Sequence, residues 1–578
     1  MAATTRAASA SAARTVECNG AAALVRLLAA AGVRDLFGVP AGKLSALLEA
    51  VAAQDAVGHL AVRHEASAAW MATAVHHATG RLAACYAESG PGSHNLVGGL
   101  GSAHANGLAT IAITSSPPAH LAQPLRGMVM DSDNDALFAA VTKWRARVSD
   151  ARRLPELVHE AVRQALSGRP GPVLLELTAE ALDAAGEYPQ AELDAPLENL
   201  LSSARAPADS QAVGRAAELL LVARRPLVIA GGGVTLADAA APLRALAHRL
   251  GAAATATQMG LGAVSTEDPA FFGHGGVIGG EAVCRAMAEA DVVLAVGCRF
   301  SSWLWDGSAP IVRGWPEQEL IQVDIDPLAI GRARLVSLGL CGDAAAVLDQ
   351  LLAALDGRDG AAEEEWLEGL VAQAADQRRA ILEGAAGEPL HPAVLAEELG
   401  RALPADSLVV FDGGHTTFWS NDFTPATEPR TRFHEPGMAH LGFGVPYALA
   451  LKREFPSRAV VNITGDGAFG FTMAELDTAR RHGIAAVHVI HDNAAWGVIR
   501  LGQSRRGFEF GTSLEGTDYV AIARALGAHA ERVTEREQVA PALERALACG
   551  VPAVIDARVR FEPHPQMPRF AGAGRRPA

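Results

Sequence analysis

The sequence predicts an α/β protein of three doubly wound parallel-sheet domains, and two observations predict it. Short, continuous apolar or β-branched runs bounded by turn residues alternate with Ala- and Leu-rich helical stretches almost throughout the 578 residues, the pattern of parallel sheets covered on both faces. Two stretches of weak strand character, 183–210 and 356–388, divide that pattern into three blocks of about 150–180 residues each, a normal domain size.

In the first block the strand-like runs are LATIAITS (108–115) and PVLLEL (172–177). The stretch that follows is rich in Pro, Ala and acids. The second block carries PLVIAGG (226–232), DVVLAVG (291–297) and LIQVDID (320–326), and ends in a charged, helical segment. The third carries LVVFDGG (408–414), AVVNITGDG (459–467), AAVHVIHDN (485–493) and PAVIDAR (552–558). The expected domains are 15–186, 211–357 and 387–562, joined by linkers at 187–210 and 358–386, with disordered tails at 1–14 and 563–578. The first and third blocks share length and rhythm, and no short-period repeat is visible. The first 14 residues contain two Arg and no acid, a composition shared by organelle-targeting segments and disordered starts; the second reading is the one expected.

Composition narrows the function classes. Hydrophobic residues make up 49% and charged residues 20%, as in soluble globular proteins. A net charge of −15 speaks against nucleic acid as a partner, since phosphate contacts are made by Lys and Arg. No apolar run approaches the roughly 20 residues that span a bilayer. The six cysteines are scattered and form no CxxC pair, which predicts reduced thiols and a cytoplasmic protein.

The third block holds the motif with most chemical content. Gly465-Asp466-Gly467 follows one strand, and Asp492-Asn493 follows the next, so that Asp466 and Asn493 stand 27 positions apart. Strand carboxyl ends of an open parallel sheet face one crevice, where ligands bind. A carboxylate, an amide oxygen and a nearby backbone carbonyl would there form a hard oxygen site suited to Mg²⁺. The flanking glycines let backbone approach a diphosphate closely. GDG alone is a common strand-to-helix turn; the Asn after the second strand is what separates the two readings.

This spacing resembles the diphosphate-anchoring motif of thiamine diphosphate enzymes, where GDG is followed by Asn-Asn; here the first Asn is replaced by Asp492. The resemblance extends over nearly the whole chain. FGVPAGKLSALLEAV (37–51), RHEASAAWMATAVHHATGR (63–81) and ESGPGSHN (88–95) are similar to the N-terminal signatures of the acetolactate synthase and pyruvate oxidase group. VFDGGHTTFWSNDF (410–423) and PGMAHLGFGVPYALALK (436–452) are similar to the loops that clamp the cofactor.

The resemblance implies a pyrimidine-binding, a central and a diphosphate-binding domain. It implies that Glu65 hydrogen-bonds N1′ of the cofactor's aminopyrimidine, which lets the C2 proton leave; alone, an acid at a helix start does no more than favour the helix dipole. It implies Asp466 and Asn493 as metal ligands by side chain and Ala495 by its backbone oxygen. Gly414, His415, Thr416, Gly465, Gly467 and Ala468 would contact the cofactor, and Leu441 would prop it in its bent shape. Gly90 and Gly92 form a tight turn, His94 and Asn95 face the site or merely cap a helix, and His76 and His77 are expected on a helix surface. Because the family builds each site from two chains, a homodimer or homotetramer is expected.

The central block (229–332) is similar to the family's central domain, which holds FAD in some members and a different nucleotide or none in others; Arg299-Phe300-Ser301-Ser302-Trp303 departs from the acetolactate synthase pattern and leaves FAD open. Departures at Ser115-Ser116, at Val129-Met130-Asp131 and at Trp496 fall around the expected substrate end. The implied function is decarboxylation and carboligation of 2-oxo acids with thiamine diphosphate and Mg²⁺. The alternatives are a 2-hydroxyacyl-CoA lyase or oxalyl-CoA decarboxylase-like thioester enzyme, or a non-catalytic homologous subunit.

Overall fold

Three six-stranded sheets order the chain, each parallel throughout and helix-covered. The computed structural model describes residues 14–121, 124–276, 279–301, 304 and 312–567. These divide into two compact units at Ser203/Ala204, apart from His77–Gly80, which group with the second.

In the first unit the sheet runs Gly58–Ala61, Asp35–Gly38, Ala84–Ala87, Thr110–Ser116, Pro172–Thr178, Trp144–Val148. Numbered within the sheet, that order is 2-1-3-4-6-5. Thr110–Ser116 and Pro172–Thr178 are buried at every position, as central strands covered on both faces must be. A short antiparallel ribbon pairs Thr15–Asn19 with Ala185–Pro189, which runs into the stretch expected as a linker. Asn19 then caps the helix Gly20–Ala30, accepting from the Ala22 N–H at 2.9 Å. His76 and His77 are each only 3% exposed, contrary to the surface position expected. Their helix is lined with Ala on all sides, so it offers no polar stripe to face water.

The second unit carries two sheets. The first has the order 3-2-1-4-5-6, from Phe271–His274 through Ala253–Ala256, Pro226–Ala230, Val292–Val296 and Glu319–Asp324 to Leu338–Cys341, the doubly wound order of dinucleotide-binding folds. Its glycine turn is taken up by packing. The Gly231 N–H donates to Val296 O at 2.8 Å and the Gly233 N–H to Gly297 O at 3.1 Å. A Cβ on Gly231 would fall 2.1 Å from Gly297 O. Ser302 and Trp303 lie outside the described residues. The segment expected as the second linker forms the 20-residue helix Glu364–Glu383, which buries Trp366 and Leu370.

The last sheet runs Arg432–Phe433, Leu408–Asp412, Val460–Gly465, Val487–Asp492, Ala553–Arg558, His529–Val533, again 2-1-3-4-6-5. Val409, Phe411, Val461, Ile463, Val487, Val489 and Ile555 form the core on one of its faces. The carboxyl ends of its three central strands, at Asp412, Gly465 and Asp492, come side by side, because Asp412 is in register with Thr464 and Gly465 with His491. No helix among the described residues is long and apolar enough to cross a membrane, and all six cysteines are free.

Candidate active site

A cavity of about 220 Å³ opens at the carboxyl edge of the last sheet. It is lined by Gly414, His415, Thr416, Leu441, Gly465, Asp466, Gly467, Ala468, Asn493 and Ala495, the third-block residues expected as cofactor or metal contacts. Asp412, Glu435, Trp496 and Val498 line it too.

The strand Val460–Gly465 runs directly into the helix Asp466–Thr472. Asp466 therefore stands in the first turn, where N–H groups are unpaired and a negative charge is favoured. One of its oxygens accepts from the Gly467 N–H at 2.8 Å and the other from the Ala495 N–H at 3.0 Å. The same Ala495 N–H also donates to the Asn493 side-chain oxygen at 3.1 Å. Asp466 and Asn493, 27 positions apart, thus bring two oxygens onto a single donor. Ala494, between them, adopts a left-handed φ of +55°, and its N–H is held by Asp492 at 3.0 Å.

Burial pushes the Asp466 carboxyl up to about 7, and the Asp492 carboxylate beside it adds to the rise. Burial likewise raises Asp492 to about 6, against the pull of Arg558. A buried carboxylate whose neighbour has the same sign gains from a cation. Among the described residues no three His, Cys, Asp or Glu side chains gather as a metal cluster, so a cation here would rest on one carboxylate, one amide and backbone. That hard, low-charge donor set suits Mg²⁺, which takes its remaining ligands from water and phosphate.

Glycines keep the crevice open. A Cβ on Gly467 would stand 2.4 Å from the Trp496 ring and one on Gly465 3.1 Å from Thr416 Oγ1. Gly413, at φ +103°, caps the helix Gly414–Phe423, which aims its first N–H groups at the cavity. His415, in that first turn, lies 3.1 Å from the Asn493 amide and stacks on Phe561. Burial lowers its pKa to about 4, so it is neutral at physiological pH.

Asp412 is a residue the sequence reasoning passed over. Fully buried, it accepts from the Gly442 and Gly444 N–H groups at 3.1 and 3.0 Å, fixing the turn that presents Leu441. Its signal in the sequence was a charged residue ending an otherwise apolar strand.

In the first unit, Glu65 opens the helix Glu65–Thr79. Asn95 donates to one of its oxygens at 2.9 Å and does not cap its own helix. A Cβ on Gly92 would come within 3.1 Å of the other oxygen, so the glycine leaves that oxygen room. Gly90, at φ +77°, makes the preceding turn, and His94 bonds back to Gly90 O at 2.8 Å as a local cap.

The buried histidines of the second unit give a pH expectation. Burial lowers His274, His391 and His415 to about 4 and His434 and His488 to about 3, from an ordinary value of about 6.5. Between about pH 6.5 and 4 the unfolded chain binds protons that the fold refuses, so stability falls as pH drops through that window. Burial raises Asp412 to about 7, and it acts oppositely, as do Asp466 and Asp492: the fold keeps protons that the unfolded chain releases. Five histidines outweigh three carboxyls. Acidifying from pH 7 to 5 is therefore expected to lower the thermal unfolding midpoint, and a midpoint that rises over that interval contradicts it.

Three family models match the chain: the N-terminal TPP binding domain of thiamine pyrophosphate enzymes over residues 18–137, their central domain over 213–351 and their C-terminal TPP binding domain over 412–557. The chain is 29% identical over 570 residues to the probable acetolactate synthase large subunit of Methanocaldococcus jannaschii, covering 96% of this chain and 94% of that one. It is 31% identical over 546 residues to the acetolactate synthase isozyme 2 large subunit of Escherichia coli, covering 94% and 95%. To the sulfoacetaldehyde acetyltransferase of Castellaniella defragrans it is 29% identical over 559 residues, covering 92% and 91%. Proteins named for different reactions are thus similarly near, and identity alone does not choose the substrate.

Proposed function

Since the chain belongs to the thiamine pyrophosphate enzyme family, as an enzyme of acetolactate synthase-like kind, we propose that it decarboxylates a 2-oxo acid and joins the remaining acyl unit to a second carbonyl compound, with Mg²⁺ anchoring the cofactor. The observation that carries this reading is the convergence of the Asp466 and Asn493 oxygens on one N–H inside the crevice. When bound, thiamine diphosphate supplies a nucleophilic carbon able to stabilise negative charge beside a carbonyl.

The chain's own residues do the rest. Asp466, Asn493 and the Ala495 backbone would hold the cation that anchors the cofactor. Gly465, Gly467 and Ala468 let backbone approach it, with Gly414, His415 and Thr416 opposite. His415, being neutral, serves as a hydrogen-bonding partner rather than a counter-charge. Leu441 supports the cofactor sterically, on a turn fixed by Asp412. Glu65, oriented by Asn95, binds the pyrimidine ring nitrogen and moves a proton there. The bond from carbonyl carbon to carboxylate breaks and CO₂ leaves; a new bond forms to the second carbonyl, whose oxygen takes a proton. The sequence is redox-neutral and passes through no flavin. Glu65 and Asp466 lie in different units, and in line with the family a homodimer is the smallest complete assembly.

The test is a panel of 2-oxo acids and aldehyde or ketone acceptors, offered to purified protein with thiamine diphosphate and Mg²⁺, following CO₂ and the ligated product. At least one donor is expected to give both. Cofactor retained without turnover of any 2-oxo acid overturns the reaction; cofactor not retained overturns the site.

A further inference from the structure

Asp492 occupies the position where the family motif has an amide, and it introduces a carboxylate next to the cation carboxylate Asp466. Its two oxygens are used differently. One accepts from the Ala494 N–H at 3.0 Å, a bond an amide oxygen would make equally well. The other meets the Arg558 guanidinium at 3.0 Å, across from the neighbouring strand.

Arg558 is itself fixed on three sides. It reaches Asp556 at 3.2 Å and the Thr517 carbonyl at 3.1 Å as well as Asp492. Asp556, fully buried, is also held by Arg532 at 3.0 Å. Beneath the Asn493–Ala495 turn there are therefore two buried carboxylates, Asp492 and Asp556, against two guanidinium groups, Arg532 and Arg558; Arg532 also pairs at 3.0 Å with Asp518, an exposed carboxylate. The two buried carboxylates are matched one for one by guanidinium groups, and Asp466 lies outside the cluster, facing the crevice.

We propose that Arg558 is a charge-compensating positioning residue: it cancels the carboxylate that Asp492 places beside the cation site, so that the turn carrying Asn493 and Ala495 meets a cation and an anionic diphosphate as an amide would present it. The inference rests on Asp466 and Asn493 being the cation ligands. A buried charge stripped of its partner is costly and disturbs what surrounds it, and outer partners of metal ligands are typically worth tenfold to a hundredfold in affinity. Compensation and simple tethering predict different patterns. If Arg558 cancels charge, removing Asp492 does no harm and repairs the loss of Arg558. If the pair merely ties the turn to the next strand, either removal is equally damaging and neither repairs the other.

The experiment is calorimetric titration of thiamine diphosphate at fixed Mg²⁺ into the full chain and three variants, with thermal melts to confirm folding. R558Q is expected to bind at least about tenfold more weakly, D492N within about threefold of the wild type, and D492N/R558Q to return to within about threefold. R558Q binding like the wild type, or D492N as weak as R558Q, or a double variant no better than R558Q, overturns the proposal. Should R558Q not fold, R558K, which keeps the charge, and D492N must each bind within about threefold, and a tenfold loss in either overturns it. A wild type that does not bind the cofactor at all overturns the underlying site instead.

Discussion

Glu65→Gln is expected to take up thiamine diphosphate and Mg²⁺ as the parent does while turning over about 10²–10⁴ times more slowly, the usual worth of positioned proton transfer. The substitution keeps the length of the side chain and an oxygen, and the amide of Asn95, 2.9 Å away, still finds an acceptor. What disappears is the ionisable group proposed to exchange a proton with the pyrimidine nitrogen. Calorimetry separates the two effects: unchanged affinity with a collapsed kcat places Glu65 in the chemistry, and full activity in the variant removes it.

The second large effect belongs to the opposite end of the cofactor. Asp466→Asn keeps the shape but discards the charge that a divalent ion needs, and cofactor affinity is expected to fall upwards of about a hundredfold, beyond what losing an outer partner costs. The fold should not suffer. Burial already pushes the Asp466 carboxyl up to about 7, so an amide in its place relieves a desolvation penalty, and the unfolding midpoint of cofactor-free protein is expected to hold or rise. A variant that retains Mg²⁺-dependent cofactor binding rules out Asp466 as a ligand.

The strands named from the sequence are all interior ones: Thr110–Ser116, Pro172–Thr178, Pro226–Ala230, Val292–Val296, Glu319–Asp324, Leu408–Asp412, Val460–Gly465, Val487–Asp492 and Ala553–Arg558. An interior strand is apolar on both faces and reads as an unbroken run. The edge strands do not stand out. Gly58–Ala61, Phe271–His274 and Arg432–Phe433 are short, and Trp144–Val148 and His529–Val533 alternate with charged residues, as edges exposed to solvent do. Three interior strands, Asp35–Gly38, Ala84–Ala87 and Ala253–Ala256, are four residues long and two of them Ala-rich, too little for periodicity to separate from helix.

The site was legible where its residues follow a strand. Asp466 and Asn493 are placed by two turns of one βαβ unit, so spacing alone locates them. Asp412 and Arg558 were not legible, because their roles depend on which strands lie side by side. The register that sets Asp492 opposite Arg558 links positions 66 apart in the chain, and no local pattern encodes it. His76 and His77 failed for another reason: an Ala-rich helix gives no amphipathic cue to its buried side.

The antiparallel ribbon of Thr15–Asn19 with Ala185–Pro189 fastens the entry and the exit of the first unit together like the two ends of a drawstring. A segment whose ends meet can be lifted out, or exchanged for a relative's counterpart, without stretching what it was joined to. Chimaeras cut just outside that ribbon would carry Glu65, Asn95 and the Ser115-Ser116 departure as one cassette.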